Sequence, residues 1–164
     1  NSAEAVAIVK EYQLDIGVIA GARILKRQII SAFTKGIINY HPGLIPESRG
    51  LDALLWSIYN KVPLGVTSHL INEEIDAGKI LERLQIPIYI DDTIFDLSER
   101  LYECQLDMMA SSIVKTMNEQ WEVLANGTAY NTKMPDELEA ETLVKLDQYI
   151  MEQMASKIIP RQIC

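Results

Sequence analysis

The most constraining feature of the chain is an alternation near its start: helical spacing, a short apolar run, helical spacing again, then a second apolar run. Ser2 stands as an N-cap before Ala5, Val6, Ile8, Val9 and Tyr12, which recur at helical intervals and predict a short helix over residues 2–13. Leu14 to Ala20 is almost continuously apolar and stops at Gly21, the pattern of a strand buried on both faces. Ile24 to Phe33 returns to helical spacing, and Gly36 to Asn39 gives another short buried strand. This order predicts an α/β fold with a parallel sheet. Four breakers, Pro42, Gly43, Pro46 and Gly50, follow within nine residues and require an irregular loop.

Downstream, Leu51 to Tyr59 is a short amphipathic helix, and residues 64–71 and 79–90 predict an antiparallel strand pair joined by the acidic segment Asn72 to Gly78. Asp92 is positioned to cap a helix from Thr93 to about Asn118. Its apolar positions Ile94, Leu97, Leu101, Leu106, Met109, Ile113 and Met117 fit a core-facing stripe. Trp121 to Leu124 reads as a small strand and residues 135–154 as a charged helix. Amphipathicity alone does not choose between dimerisation by that helix and packing back on the sheet. The pattern divides the chain into residues 1–118 and a C-terminal extension, 119–164, with no internal repeat.

Composition narrows the function classes. A chain of 164 residues, 48% of them hydrophobic, is one domain that buries roughly 70% of its unfolded surface. Fifteen basic against 23 acidic residues give a net charge of -8, which counts against a nucleic-acid surface that works by neutralising phosphates. It does not exclude a small phosphorylated substrate. Two cysteines, Cys104 and Cys164, are too few for a disulfide framework and point to a reducing, cytoplasmic compartment. No apolar run reaches membrane-spanning length.

The two histidines sit in unusual company. His41 lies in Asn39-Tyr40-His41-Pro42-Gly43, where a buried strand meets a loop, the edge at which ligands bind open α/β sheets. Asn39 and His41 are two residues apart, so in an extended chain they project from one face. An amide NH₂ and an imidazole N–H aimed at one point make an oxyanion hole. His69 follows on the next strand in Gly65-Val66-Thr67-Ser68-His69, and Asp76, just before Ala77-Gly78, suits a general base or proton relay. Taken singly, Asn39 and Asp76 are equally turn residues and each histidine a structural group. No His-x-x-x-His spacing supports a metal, no Gly-x-Gly-x-x-Gly a dinucleotide, and no histidine beside either cysteine a thiol nucleophile.

Taken jointly, residues 15–81 resemble the folate-dependent formyltransferase family. The resemblance rests on Asn39-Tyr40-His41-Pro42, Leu44-Ile45-Pro46 with Gly50, Gly65-Val66-Thr67-Ser68-His69, and Asp76-Ala77-Gly78-Lys79-Ile80-Leu81, in order and spacing. Ala20 to Leu25 also looks like the family's segment lining the folate pocket. The resemblance implies a Rossmann-like fold with a mostly parallel sheet, and 10-formyltetrahydrofolate as donor of a formyl group to a small amine. It implies Asn39 and His41 as donors to the developing oxyanion, Asp76 as acceptor of the amine proton, and His69 as the group orienting Asp76 or a water. The pterin ring would lie against Arg23, Ile24 and Leu25 and the loop Ile71, Asn72, Glu73, Glu74, Ile75 and Asp76. Arg23 is equally a solvated helix-start arginine.

Two departures stand out. Gly43 occupies a position where the family usually has serine or alanine. Family members also carry a further nucleotide-fold half before the segment where this chain begins, so the resemblance implies a catalytic region (1–118) lacking its N-terminal strands. Family acceptors are a sugar-nucleotide amine, glycinamide ribonucleotide, methionyl-tRNA and, in the deformylase branch, water. The acidic balance places the small amines first and leaves homo-oligomerisation open. A catalytically silent folate-binding or assembly module is the alternative of another class.

Overall fold

The computed structural model of the protein describes residues 1–19, 24–72, 78–123 and 129–156. Helix α1 (Ala3–Glu11) begins where Ser2 accepts a hydrogen bond from the Ala5 amide, as its N-cap pattern predicts. It is followed by β1 (Ile16–Val18), α2 (Arg27–Ile30), β2 (Gly36–His41), α3 (Ala53–Tyr59), β3 (Gly65–Leu70), β4 (Lys79–Gln85), α4 (Ile94–Met117), β5 (Glu122–Val123), α5 (Asp136–Val144) and α6 (Leu146–Ser156). The strands form one sheet in the order β1-β2-β3-β4-β5.

Among the described strands only the β1–β2 pair is parallel; β2–β3, β3–β4 and β4–β5 are antiparallel. The mostly parallel sheet expected from the rhythm of residues 2–39 therefore does not extend past β2. The reason is the connection: the breaker-rich loop and the seven-residue α3 do not carry the chain back across the sheet, so β3 enters from the end that β2 leaves.

Other departures have local causes. The helix expected over 24–33 contracts to α2 because the Asn1 side chain donates to the Ile24 carbonyl and accepts from the Lys26 amide, holding that stretch extended. The strand expected to Ile90 stops at Gln85, ahead of Pro87, which lacks an amide to continue a ladder. Thr93, not Asp92, caps α4 through a reciprocal capping box with Asp96. The expected helix 135–154 is two helices, because the Lys145 amide bonds to Thr142 and closes α5.

A continuous apolar core joins Ile38 and Tyr40 of β2, Val66 of β3, Leu97, Leu101 and Met108 of α4, and Tyr149 and Ile150 of α6. Each fully buried side chain of this size stabilises by about 1.5–3 kcal/mol. The last helix thus packs back on the body of the fold, with the Tyr149 hydroxyl donating to the Val62 carbonyl at 2.8 Å. The stripe expected along α4 is displaced in its second half: Leu106, Ile113 and Met117 are exposed, while Ser112 and Thr116 are buried. Small polar residues fit there because Ser112 Oγ donates to Ser68 Oγ of β3 at 2.8 Å. Among the described residues no helix is long and apolar enough to cross a membrane.

Candidate active site

The alternation of β2 sends Ile38 and Tyr40 toward α4 and Asn39 and His41 to the opposite face. In the antiparallel register Asn39 stands opposite His69 and His41 opposite Thr67, so all four side chains share that face. A β-bulge at Ser68/His69, where β4 inserts Leu81, sits directly beside them and re-aims the strand. The Asn39 Nδ2 donates to His69 Nε2 at 3.2 Å, which makes Nε2 the acceptor nitrogen of the His69 ring. His69 is buried, and it lies against Asn39.

His41 is fixed differently. Its Nε2 donates to the Ser48 carbonyl at 2.5 Å, across the loop that the four breakers predicted. Thr67 pins the same loop: its hydroxyl donates to the Gly43 carbonyl at 2.7 Å and accepts from the Ile45 amide at 3.0 Å. Arg83 of β4 reaches the Ile45 carbonyl through Nε and ion-pairs with Glu122 at 2.7 Å.

A cleft of about 980 Å³ opens at the loop end of β2. Asn39 and His41 line it, together with Ile24, Leu25, Ile71 and Asn72. Six of the residues singled out by sequence thus line one cleft, with His69 against Asn39. Arg23, Glu73, Glu74, Ile75 and Asp76 lie outside the described residues, and so does the expected approach of Asp76 to the pair. The only charged side chains among the described residues lining the cleft are acidic, Asp52 and Glu139.

Sequence reasoning missed the wall built by the helices. Ile94, Phe95, Ser98, Tyr102 and Gln105 of α4 line the cleft, as do Glu139 and Leu143 of α5. The available signal was that Phe95 and Tyr102 are seven residues apart and off the Leu97–Leu101 stripe, hence on a second face of the helix. For α5 the sequence carries no comparable signal, because contacts made across the chain place it: Met134 N donates to Asp52 Oδ2 at 2.8 Å, and Trp56 Nε1 to the Thr132 carbonyl at 2.9 Å. The N-terminal end of α4 is anchored by Asp92, which accepts from both Arg100 Nη atoms at 2.8 Å and from the Tyr89 amide at 2.7 Å. The Arg100 guanidinium holds the Asp92 carboxyl below the usual carboxylate range. Burial pushes the Cys104 thiol on the same helix up, away from nucleophilic thiolate.

Residues 1–113 match the family described as "Formyl transferase". The trifunctional purine biosynthetic protein adenosine-3 of Gallus gallus is 32% identical over 117 residues, covering 66% of this chain and 12% of that protein. A methionyl-tRNA formyltransferase from Thermodesulfovibrio yellowstonii is 33% identical over 99 residues, 60% of this chain and 32% of that one. The solved structure of a sugar N-formyltransferase from Shewanella sp. is 27% identical with a TM-score of 0.67, covering 88% of this chain and 64% of that one. The chain therefore spans only 12% and 32% of the two curated relatives it matches here.

Proposed function

Because this chain belongs to the formyl transferase family, we propose that it carries the site at which a formyl group passes from 10-formyltetrahydrofolate to the primary amine of a small substrate. The observation that supports the assignment best is the pairing of Asn39 and His41 on one wall of the cleft, beside the segments 24–25 and 71–72 that the family resemblance allots to the folate.

The amine nitrogen attacks the formyl carbon, and the carbonyl electron pair moves to oxygen. Asn39, with one amide hydrogen engaged by His69, retains a second for that oxygen. To act as the second donor to that oxygen, His41, held through its Nε2–H on the Ser48 carbonyl, must carry a proton on Nδ1 as well. Asp76 is assigned the proton lost by the amine. The tetrahedral intermediate then collapses by cleavage of the bond to the folate nitrogen, which takes up a proton, leaving a formamide and tetrahydrofolate.

For the acceptor we favour an amino group on a sugar nucleotide, with glycinamide ribonucleotide next. The acidic lining of the cleft and the net charge of -8 both disfavour a tRNA. A reducing, cytoplasmic setting accords with the free Cys104 thiol. Single-turnover transfer from 10-formyltetrahydrofolate to each small amine tests the assignment. Asn39→Ala should slow transfer by about 100- to 1,000-fold with folate binding retained. If Asn39→Ala, His41→Ala and Asp76→Asn all match the wild-type rate while folate still binds, the site is a binding module and the assignment falls.

A further inference from the structure

We propose that Ser48 is the positioning residue of the site, acting on His41 through its main-chain carbonyl, and that Gly43 is the residue that permits the contact. The inference rests on the formyl-transfer assignment above for its consequence in rate, but not for its structural content.

The peptide unit after Ser48 is tied down on both sides. The Ser48 amide donates to the Leu44 carbonyl at 2.8 Å, and the Arg49 carbonyl accepts from the Asn131 amide at 2.8 Å. Beneath it, the hydroxyls of Ser48 and Ser57 and the carbonyl of Ala53 form a buried triangle with edges of 3.0, 2.6 and 2.9 Å. Ser48 is 1% exposed and Ser57 0%, so no water competes for these groups. A carbonyl held at its amide, its side chain and the following residue has one orientation, and it points at His41 Nε2. A carbonyl only accepts, so the proton of a neutral His41 ring resides on Nε2, and the ring plane is set by the 2.5 Å contact.

Gly43 completes the device. A Cβ built there would lie 2.6 Å from the Ser48 oxygen, 2.8 Å from His41 Nε2 and 3.0 Å from the Ala53 Cβ. It would wedge into the hydrogen bond itself. A methyl group at this position is therefore incompatible with the His41–Ser48 contact as it stands, and glycine and contact belong together.

The test is nitrogen-15 NMR of the full chain, which has two histidines, with His69→Gln used to assign them. At a pH where the nitrogen-15 shifts show the wild-type His41 ring to be neutral, at least about 90% of it should be in the Nε2–H form. Gly43→Ala and Ser57→Ala should each move the His41 populations toward an even mixture and leave the His69 signals in place. In single-turnover transfer, Gly43→Ala should fall about 100-fold with folate affinity within threefold of wild type, since a displacement near 1 Å at a reacting group costs about that much. Ser57→Ala, which only removes a hydroxyl, covers the case in which Gly43→Ala does not fold. A wild-type His41 ring in the Nδ1–H form, or tautomer populations unmoved in the variants, overturns the positioning role whatever the rate. Tautomers that shift as stated with no transfer in wild type would instead overturn the formyl-transfer assignment and leave the positioning intact.

Discussion

Gly50→Ala is the sharpest probe of how the C-terminal extension holds the site loop. Gly50 has φ +94°, in the region that favours glycine, and a Cβ there would fall 2.1 Å from the Asn131 oxygen and 2.7 Å from its nitrogen. Both atoms are main chain, so no rotamer change relieves the overlap, and the strands of backbone must part. Two hydrogen bonds stand to be lost, Asn131 N to Arg49 O at 2.8 Å and Leu51 N to Asn131 O at 2.9 Å. At about 1 kcal/mol each they contribute about 2 kcal/mol. The unfavourable φ adds about 1–3 kcal/mol. The sum, about 3–5 kcal/mol, is a large share of a typical domain's stability. Urea unfolding of Gly50→Ala against wild type reads it directly as a shift in midpoint. Asn131→Ala is the control: the bonds at risk use its main chain, so its loss should stay under about 1 kcal/mol. A loss below about 1 kcal/mol in Gly50→Ala, or one matched by Asn131→Ala, would refute the main-chain clasp.

Three further outcomes follow from contacts elsewhere. Asp92 has its folded pKa lowered by Arg100, so its contribution is fully present above the unfolded value of about 3.9 and is lost as pH falls through the lower folded value; Asp92→Asn should cost roughly 1–2 kcal/mol in urea unfolding at pH 7, and the gap to wild type should narrow as pH falls below the unfolded value. Met134, 1% exposed beneath the Thr142 hydroxyl, should cost about 2–5 kcal/mol on Met134→Ala in the same assay, and a loss under 1 kcal/mol would mean that α5 is not seated as described. Ser112→Ala should lose about 1 kcal/mol, because it removes the hydroxyl that donates to buried Ser68, and a gain in stability would show the apolar stripe of α4 to be the better match to the sheet.

How much of this was legible follows from the range of the interactions involved. The position of Asn39 and His41 on one face was legible because strand alternation has a period of two and needs no partner to be read. The loop after them was legible because proline and glycine restrict backbone directly. The Asn39–His69 contact was not: it depends on the register between β2 and β3 and on a bulge at Ser68/His69, neither of which leaves a local trace. In α4 the buried Ser112 and Thr116 contradict a hydrophobic stripe and make sense only once Ser68 stands opposite. The break at Lys145 was hidden for the same reason, since two helices rather than one let Thr142 pack on Met134 while Tyr149 bonds Val62.

Other long-range ties join the C-terminal residues to the loop beside the proposed site. The family match ends at residue 113, yet residues 129–134 grip the loop from Arg49 to Trp56 through four hydrogen bonds, and α5 puts Glu139 and Leu143 into the cleft. The same loop delivers the Ser48 carbonyl to His41. A segment that fixes the loop therefore fixes the imidazole at one remove. Catalytic groups need placement to a fraction of an ångström, and a loop held only by its own turns would not supply it. The residues proposed to carry the chemistry are thus local to β2, while part of the support for the loop that holds them comes from some ninety positions further along the chain.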